Sequence, residues 1–502
     1  MLPIEAHLHE ADVSFDGGDL DCGSGLLLLI RQHIDPLEKG GLLKILSTES
    51  SVEAELPAWC RLTGNELVSY TKQGRQRSYL IAKGKLADRS SALPNISPAL
   101  EVVPVSHPAS LPEPAEAPAI EPLSVMGVGS WPRPSWVVRA IHEHLEGRLS
   151  DEEFATVCAD ATRLAVADQE QAGADVISDG EQGRDNYASF VGGLLDNCRL
   201  VPLSDLLAMV EHPDEFKAEL DSLDVPAESV RHPVVFGPLG RSRPLVANEA
   251  EQVLSLTDRP VKAALPGPYL LTRLMWLDCI TDRVYASREE LSNDIVRVLK
   301  EECHHLLSLG VSLVQFDEPV LSEVVFTGPK NKRSFMCGAL SESGDAGEEL
   351  AFAGSLINRV VEGLPLSRTA VHVCRGNWTT DESVALTGSY EPLLAVLSSL
   401  TVGTLFLELC TPRAGEIEVL AGLPASIRVG AGMVNPKSPE TETVDDILRR
   451  IERAASVLGA ERLLLTPDCG FATFCDSPVC SRDGARAKLA NLKAAASRFK
   501  MS

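Results

Sequence analysis

The sequence predicts an α/β protein in which a (β/α)8 barrel follows a small two-layer α/β sandwich, and three observations carry that expectation. Eight prolines fall between Pro94 and Pro122, among Ala, Ser and Glu, with no hydrophobic periodicity. Beyond them, short β-branched or leucine-rich runs alternate with helical patterns. Nearly every such run also ends in a polar cluster. The proline-rich segment, residues 89–122, reads as a semi-rigid spacer between an N-terminal unit, 1–88, and a larger unit, 123–502.

In the first unit the pattern predicts a strand at Asp12 to Phe15 and a turn at Gly17 and Gly18. A helix from Gly25 to Leu37, a strand from Leu42 to Ser47 and a helix from Val52 to Thr63 come next. A hairpin of Glu66 to Thr71 and Ser78 to Ala82, turning near Gly74, closes the unit. In the second unit the runs are Ala174 to Ser178, Val261 to Leu265, Ser312 to Phe316, Thr369 to Val373, Thr404 to Leu407, Ser426 to Val429 and Arg462 to Leu465. Helices such as Asp294 to Ser308 and Thr443 to Val457 separate them. Strands alternating with helices imply a parallel sheet, closed as a barrel or, alternatively, open and doubly wound.

Composition narrows the function classes. The net charge of −25 opposes binding to phosphate backbones or anionic lipid, so neither nucleic acid nor membrane is an expected partner. The longest apolar run, near Leu26 to Ile30, is far short of the roughly 20 residues that span a bilayer. Glu5, Glu10 and Asp12 stand where a secretory leader is basic, so a cytoplasmic location is expected. Twelve cysteines, irregularly spaced in a long chain, point to free thiols, metal ligands or catalytic thiols rather than a disulfide framework.

The polar clusters are Asp179-Gly180-Glu181, Pro266-Gly267-Pro268, Asp317-Glu318-Pro319, His372 through Asn377, Glu408-Leu409-Cys410, Gly432 through Asn435, and Pro467-Asp468-Cys469-Gly470. Barrel enzymes carry catalytic residues at the C-terminal ends of several strands, and this distribution is such a rim read in one dimension. His372 and Cys374, two apart at a strand end, project from one face. Glu408 follows 34 residues later and Cys469 another 61. An imidazole, two thiolates and a carboxylate suit tetrahedral Zn²⁺, and ligands from separate strands suit a catalytic site. Singly, a buried Cys or His is usually core packing, and it is the set of four at strand ends that brings a metal into contention. Glu181 and Asp317 suit the ammonium of an amino-acid substrate, or alternatively a turn or cap at a strand end.

The larger unit resembles the C-terminal catalytic barrel of cobalamin-independent methionine synthase over residues 125–475. The motifs are Gly127-Val128-Gly129-Ser130-Trp131-Pro132, Ile177-Ser178-Asp179-Gly180-Glu181, Phe316-Asp317-Glu318-Pro319, His372-Val373-Cys374-Arg375-Gly376-Asn377, Leu407-Glu408 and Pro467-Asp468-Cys469-Gly470. The resemblance implies zinc-dependent methyl transfer to a thiol, with His372, Cys374, Glu408 and Cys469 as ligands. It also implies that Ser130, Glu181 and Asp317 hold the acceptor, homocysteine by preference. The long members carry a further N-terminal barrel that helps bind a folate donor, for which this chain has no room, so a methyl-folate or a methyl-corrinoid protein are both open as donors. Where the long enzymes have a histidine thought to pass a proton to the leaving group, this chain has Lys437.

Residues 12–83 resemble a TusA-type sulfur-carrier domain through Leu20-Asp21-Cys22, Leu56-Pro57-Ala58-Trp59-Cys60 and Gly64-Asn65-Glu66-Leu67-Val68. The resemblance implies a persulfide-bearing Cys22 at a helix N-terminus, where the dipole lowers a thiol pKa. Gly23-Ser24-Gly25 replaces the rest of that family's Cys-Pro-x-Pro motif. Cys22 would then be a second catalytic group, and sulfur-relay proteins would be partners. Two alternatives stand beside homocysteine methylation: a sulfur-relay protein whose barrel docks partners, and alkyl transfer or dealkylation of another small thiol.

Overall fold

The computed structural model describes residues 11–20, 26–86, 102–202, 231–276, 284–326, 345–377 and 379–501, with 7, 9 and 281 singly. The chain forms two compact units, Met1–Ala99 and Leu100–Ser502.

The smaller unit runs β1 (Val13–Asp16), α1 (Leu27–Ile34), β2 (Leu42–Ser47), α2 (Val52–Thr63), β3 (Glu66–Gln73) and β4 (Gln76–Ala82). Leu26, Ile30 and Ile34 recur every fourth residue, so α1 buries one stripe. Helix α2 has Glu53 and Glu55 in its first turn and Arg61 in its last, matching the helix dipole. It stops at Gly64, whose φ of 75° is left-handed and costs glycine little. The sheet order is β1-β2-β4-β3, with β1 parallel to β2 and the other pairs antiparallel. Cys60 lies in the core beside Trp59. Cys22 lies outside the described residues.

The larger unit opens with α3 (Ser135–Leu145) and α4 (Asp151–Gln171), the latter started by a capping box between Ser150 and Glu153. An antiparallel pair follows, β5 (Asp196–Pro202) and β6 (Arg231–Gly240). The main run is then α5 (Ala247–Leu254), β7 (Lys262–Pro266), α6 (Pro268–Met275), α7 (Arg288–Ser308), β8 (Leu313–Asp317), α8 (Val320–Phe326), α9 (Ala346–Val361) and β9 (Thr369–Val373). It continues through α10 (Leu394–Ser399), β10 (Thr404–Leu407), β11 (Arg428–Val434), α11 (Val444–Leu458), β12 (Leu463–Pro467) and α12 (Arg482–Met501). Strands β7 to β12 form one parallel sheet in chain order, as alternating strands and helices require.

Two expectations shift. The run Ala174 to Ser178 is not a laddered strand: Ile177 makes a single parallel bridge to Val261, and Val125 a single bridge to Leu465. The Asp175 amide donates to Val125 O at 2.7 Å, so these two segments are joined to each other as well. Strand β11 extends to Val434 through its pairing with β10 and β12, beyond the expected Val429, where Gly430-Ala431-Gly432 interrupts the β-branched signal. Those glycines are required by neighbours: a Cβ on Gly430 would lie 2.0 Å from the Phe406 ring, and one on Gly432 2.0 Å from Asp468 Oδ1.

The proline-rich segment, expected as a spacer over 89–122, is bonded to the rest of the larger unit at several of its described residues. Ala115 N donates to Leu307 O (3.0 Å), Ser312 Oγ to Pro118 O (2.8 Å) and Arg428 Nη1 to Ile120 O (2.8 Å). Prolines cannot donate backbone hydrogen bonds, so carbonyls and intervening amides supply them. No helix among the described residues is long and apolar enough to cross a membrane.

Candidate metal centre and acceptor pocket

His372 in β9, and Cys374 and Cys469 just past the C-terminal ends of β9 and β12, bring their ligand atoms within 4.8 Å of one another, and all three are buried. The pairing of β8 with β9 sets Asp317 opposite His372. His372 Nδ1 bonds to Asp317 Oδ1 at 2.8 Å, while the buried Nε2 has no hydrogen-bond partner. A buried nitrogen left unpaired beside two sulfurs is what a metal site looks like before the ion is counted. The donor set, one imidazole and two thiols, fits a borderline-soft cation.

The electrostatics agree. Cys374 is held well below the ordinary thiol range, first because the Cys469 thiol donates to it and then because of His372, against the effect of burial. Cys469 is pushed up by the same contact, so the pair shares one proton with the anion on Cys374. Burial opposes a charged His372, yet Asp317 and Cys374 raise it to about 10. Without an ion, the cluster gathers a proton in the place of a cation.

Glu408, next after β10, is buried but not within that trio. Its Oε1 accepts from Arg413 Nε at 2.6 Å and its Oε2 from Arg375 N at 3.0 Å. Burial raises its pKa, Arg413 lowers it, and the charge on Cys374 raises it further. Lys437 is also buried, and burial followed by Arg413 pulls its ammonium down, against Glu408, Cys469 and Cys374.

A second set of residues lies beside the loop that carries Cys469. Glu181 stands in the left-handed region at φ 56°, a conformation costly for a side-chain-bearing residue. Its Oε2 is buried without a partner, and burial raises it to about 7, with Arg184 opposing and Asp317 adding. Arg133 clamps that turn, donating to the carbonyls of Glu181 and Ala472, each at 2.7 Å. Gly129 lies so close that a Cβ there would sit 2.3 Å from Glu181 Oε1. Ser130 Oγ accepts from Ala472 N at 3.2 Å, and a Cβ on Gly470 would meet it at 2.3 Å. Ser130 and Glu181 are thus interlocked with the loop that carries Cys469. Asp317, expected at the acceptor, has Oδ1 occupied by His372 and by Gln315 Nε2, both at 2.8 Å.

Several residues escaped the sequence reading. Lys262 opens β7 fully buried, with Nζ donating to the carbonyls of Gly127 (2.7 Å) and Val128 and to Gln315 Oε1 (2.7 Å), and it lies 4.8 Å from the Phe406 ring centroid. Burial pulls it down to about 7, but three acceptor oxygens need three N–H groups, which only the ammonium has. A lysine inside an apolar strand was the available signal. Arg413 gave none, since loop arginines are common. Another trio, His142, Cys475 and Asp476, is bonded internally: His142 Nε2 and the Cys475 thiol reach the Asp476 carboxylate at 2.7 and 3.5 Å.

Comparison with known proteins matches residues 123–344 and 369–498 to a family model described as the catalytic domain of cobalamin-independent synthase. The chain is similar to methionine synthase of Thermococcus kodakarensis, 24% identical over 345 residues, covering 68% of this chain and 85% of that protein. It is 26% identical over 346 residues to the 5-methyltetrahydropteroyltriglutamate–homocysteine methyltransferase of Nitratidesulfovibrio vulgaris, covering 69% of this chain and only 38% of that relative. Among solved structures, a B12-independent methionine synthase from Shewanella sp. W3-18-1 in complex with selenomethionine shares the fold at a TM-score of 0.58 and 24% identity, over 76% of this chain and 98% of the other. A putative vitamin-B12-independent methionine synthase from Listeria monocytogenes does so at 0.55 and 18%, over 76% and 99%.

Proposed function

Because this chain belongs to the cobalamin-independent methionine synthase family, methyltransferases by type, we propose that its larger unit is a zinc-dependent S-methyltransferase acting on homocysteine to give methionine. The observation that carries the reading is the unpaired His372 Nε2 beside two buried cysteine sulfurs at the C-terminal edge of a parallel sheet.

His372, Cys374 and Cys469 would hold the ion, with Glu408 as fourth ligand once Arg413 releases it. Bound there, Zn²⁺ supplies deprotonation of the acceptor thiol while leaving a sulfur lone pair for attack. Glu181 takes the acceptor's ammonium, since it has a buried oxygen without a partner; Ser130 and Asp317 line the same pocket. The acceptor sulfur provides the electron pair for the new S–CH3 bond as the donor's bond to that methyl breaks. The departing pair then takes a proton, and Lys437, buried with its pKa lowered, is the candidate to give it. The donor is a methylated folate or a methyl-corrinoid protein.

The larger unit is read as a closed (β/α)8 barrel, the segments at Val125 and Ile177 standing in for its first two strands. The bridges Val125–Leu465 and Ile177–Val261 support this, as does the small inner cluster of Met126, Val176, Leu313, Ala370, Phe406 and Leu464. The small unit, residues 1–88, is read as a sulfur-carrier domain, and Cys22 as a thiol or persulfide serving the barrel; the strand–helix–strand–helix–hairpin order supports that reading.

The test is metal analysis of the purified protein with X-ray absorption at the zinc edge, with and without homocysteine. About one zinc per chain, gaining a sulfur ligand on homocysteine addition, is expected. A protein that binds no zinc, or whose zinc is indifferent to thiols, overturns the reading. Full activity of Cys22→Ser would remove the carrier part alone.

A further inference from the structure

We propose that Lys262, through Gln315, is a positioning residue that fixes which nitrogen of His372 is presented to the metal. Lys262 Nζ has only hydrogens to give and lies 2.7 Å from Gln315 Oε1, so the carboxamide must turn its oxygen toward the lysine. Its Nε2 then points the other way and donates to Asp317 Oδ1 at 2.8 Å. That carboxylate oxygen in turn accepts from His372 Nδ1 at 2.8 Å, which keeps the proton on Nδ1 and leaves Nε2 as the nitrogen that gives up its proton and turns a lone pair to the ion. Each group in the series is buried, so water cannot substitute for any link.

The same ammonium holds the carbonyls of Gly127 and Val128, immediately before the Gly129-Ser130 segment against which Glu181 is packed. Lys262 therefore links the Gly127–Val128 segment to the series that ends on His372. This rests on the proposed function only in taking His372 as a ligand. The series Lys262–Gln315–Asp317–His372 also predicts a protected Nδ1–H on His372 whether or not a metal is present.

The experiment compares wild type, Lys262→Met, Gln315→Met and the double variant, with Leu299→Ala in α7 as a core truncation outside the series. Two quantities are read: zinc affinity by competition with a chromophoric chelator, and the slowly exchanging ring N–H resonance of His372, assigned by its loss in His372→Ala. Each single variant is expected to lose about ten- to a hundredfold in zinc affinity, the range for outer partners of metal-bound histidines. Each should also lose protection of the ring N–H. The double variant should be no worse than the poorer single one, because both break one series. Leu299→Ala should lower thermal stability and leave both readouts alone. Unchanged zinc affinity and ring N–H in both single variants overturn the inference, as do losses that multiply in the double variant. If wild type binds no zinc the proposed function fails instead, and the ring N–H in the metal-free protein still decides this inference.

Discussion

Replacing Gly129 by alanine tests whether Glu181 serves the acceptor pocket, because the added methyl would enter the space its carboxylate occupies. The Cβ would lie 2.3 Å from Glu181 Oε1 and 3.4 Å from its carboxyl carbon. Ordinary contact requires about 1 Å more, and neither side yields cheaply: Glu181 is buried at φ 56° with its carbonyl clamped by Arg133. Gly129 itself is not at a positive φ, so alanine brings no backbone strain and the effect is steric. Overpacking of this kind costs about 1–3 kcal/mol of stability. An ångström of displacement at a binding carboxylate is expected to cost about a hundredfold in kcat/KM for the acceptor. Gly127→Ala is the matched control, since a Cβ there meets nothing within 4 Å. Denaturant titration gives the stability, acceptor-dependent thermal shift the binding, and metal analysis the zinc content, which should be intact in both. A folded, zinc-loaded Gly129→Ala protein that binds and methylates homocysteine as wild type does would refute the assignment of Glu181.

Cys374→Ser and Cys469→Ser should each lower zinc content well below one per chain and abolish methylation, whereas Cys410→Ser, outside the trio, should do neither; elemental analysis checks this. Glu181, raised to about 7, holds a proton in the folded state that the unfolded chain has already released at that pH. Stability should thus fall as pH rises from about 4.5 to about 7, a slope that Glu181→Gln removes, and homocysteine binding should weaken below about pH 7 in wild type; melts and titrations across that window show both. Arg413→Met should destabilise the metal-free protein by about 3 kcal/mol, because it leaves the buried Glu408 carboxylate without its cation. Zinc should restore most of that loss, and equal losses with and without zinc would count against Glu408 as a ligand.

The alternation of strands with helices and the placing of polar residues at strand ends were legible in sequence, because both follow from local periodicity and from where apolar runs stop, whereas the strand order came from the sheet itself. His372, Cys374 and Cys469 were therefore identifiable as residues at strand ends. That they meet within 4.8 Å was decided by the sheet, which lays β9 and β12 so that their ends converge. Glu408 shows the boundary: its type and position suit a ligand, but a loop arginine five residues on, invisible to any pattern, holds it by an ion pair. Asp317 likewise reads as a substrate carboxylate in sequence, and only the register Asp317–His372 shows that it first serves the histidine. The glycines at 430 and 432 concealed half a strand because close packing against Phe406 and Asp468 requires the small residues that strand patterns do not count. What local chemistry dictates can be read along the chain, whereas which buried donor faces which buried acceptor depends on contacts between residues far apart in sequence. Those contacts exist only once the sheet has formed.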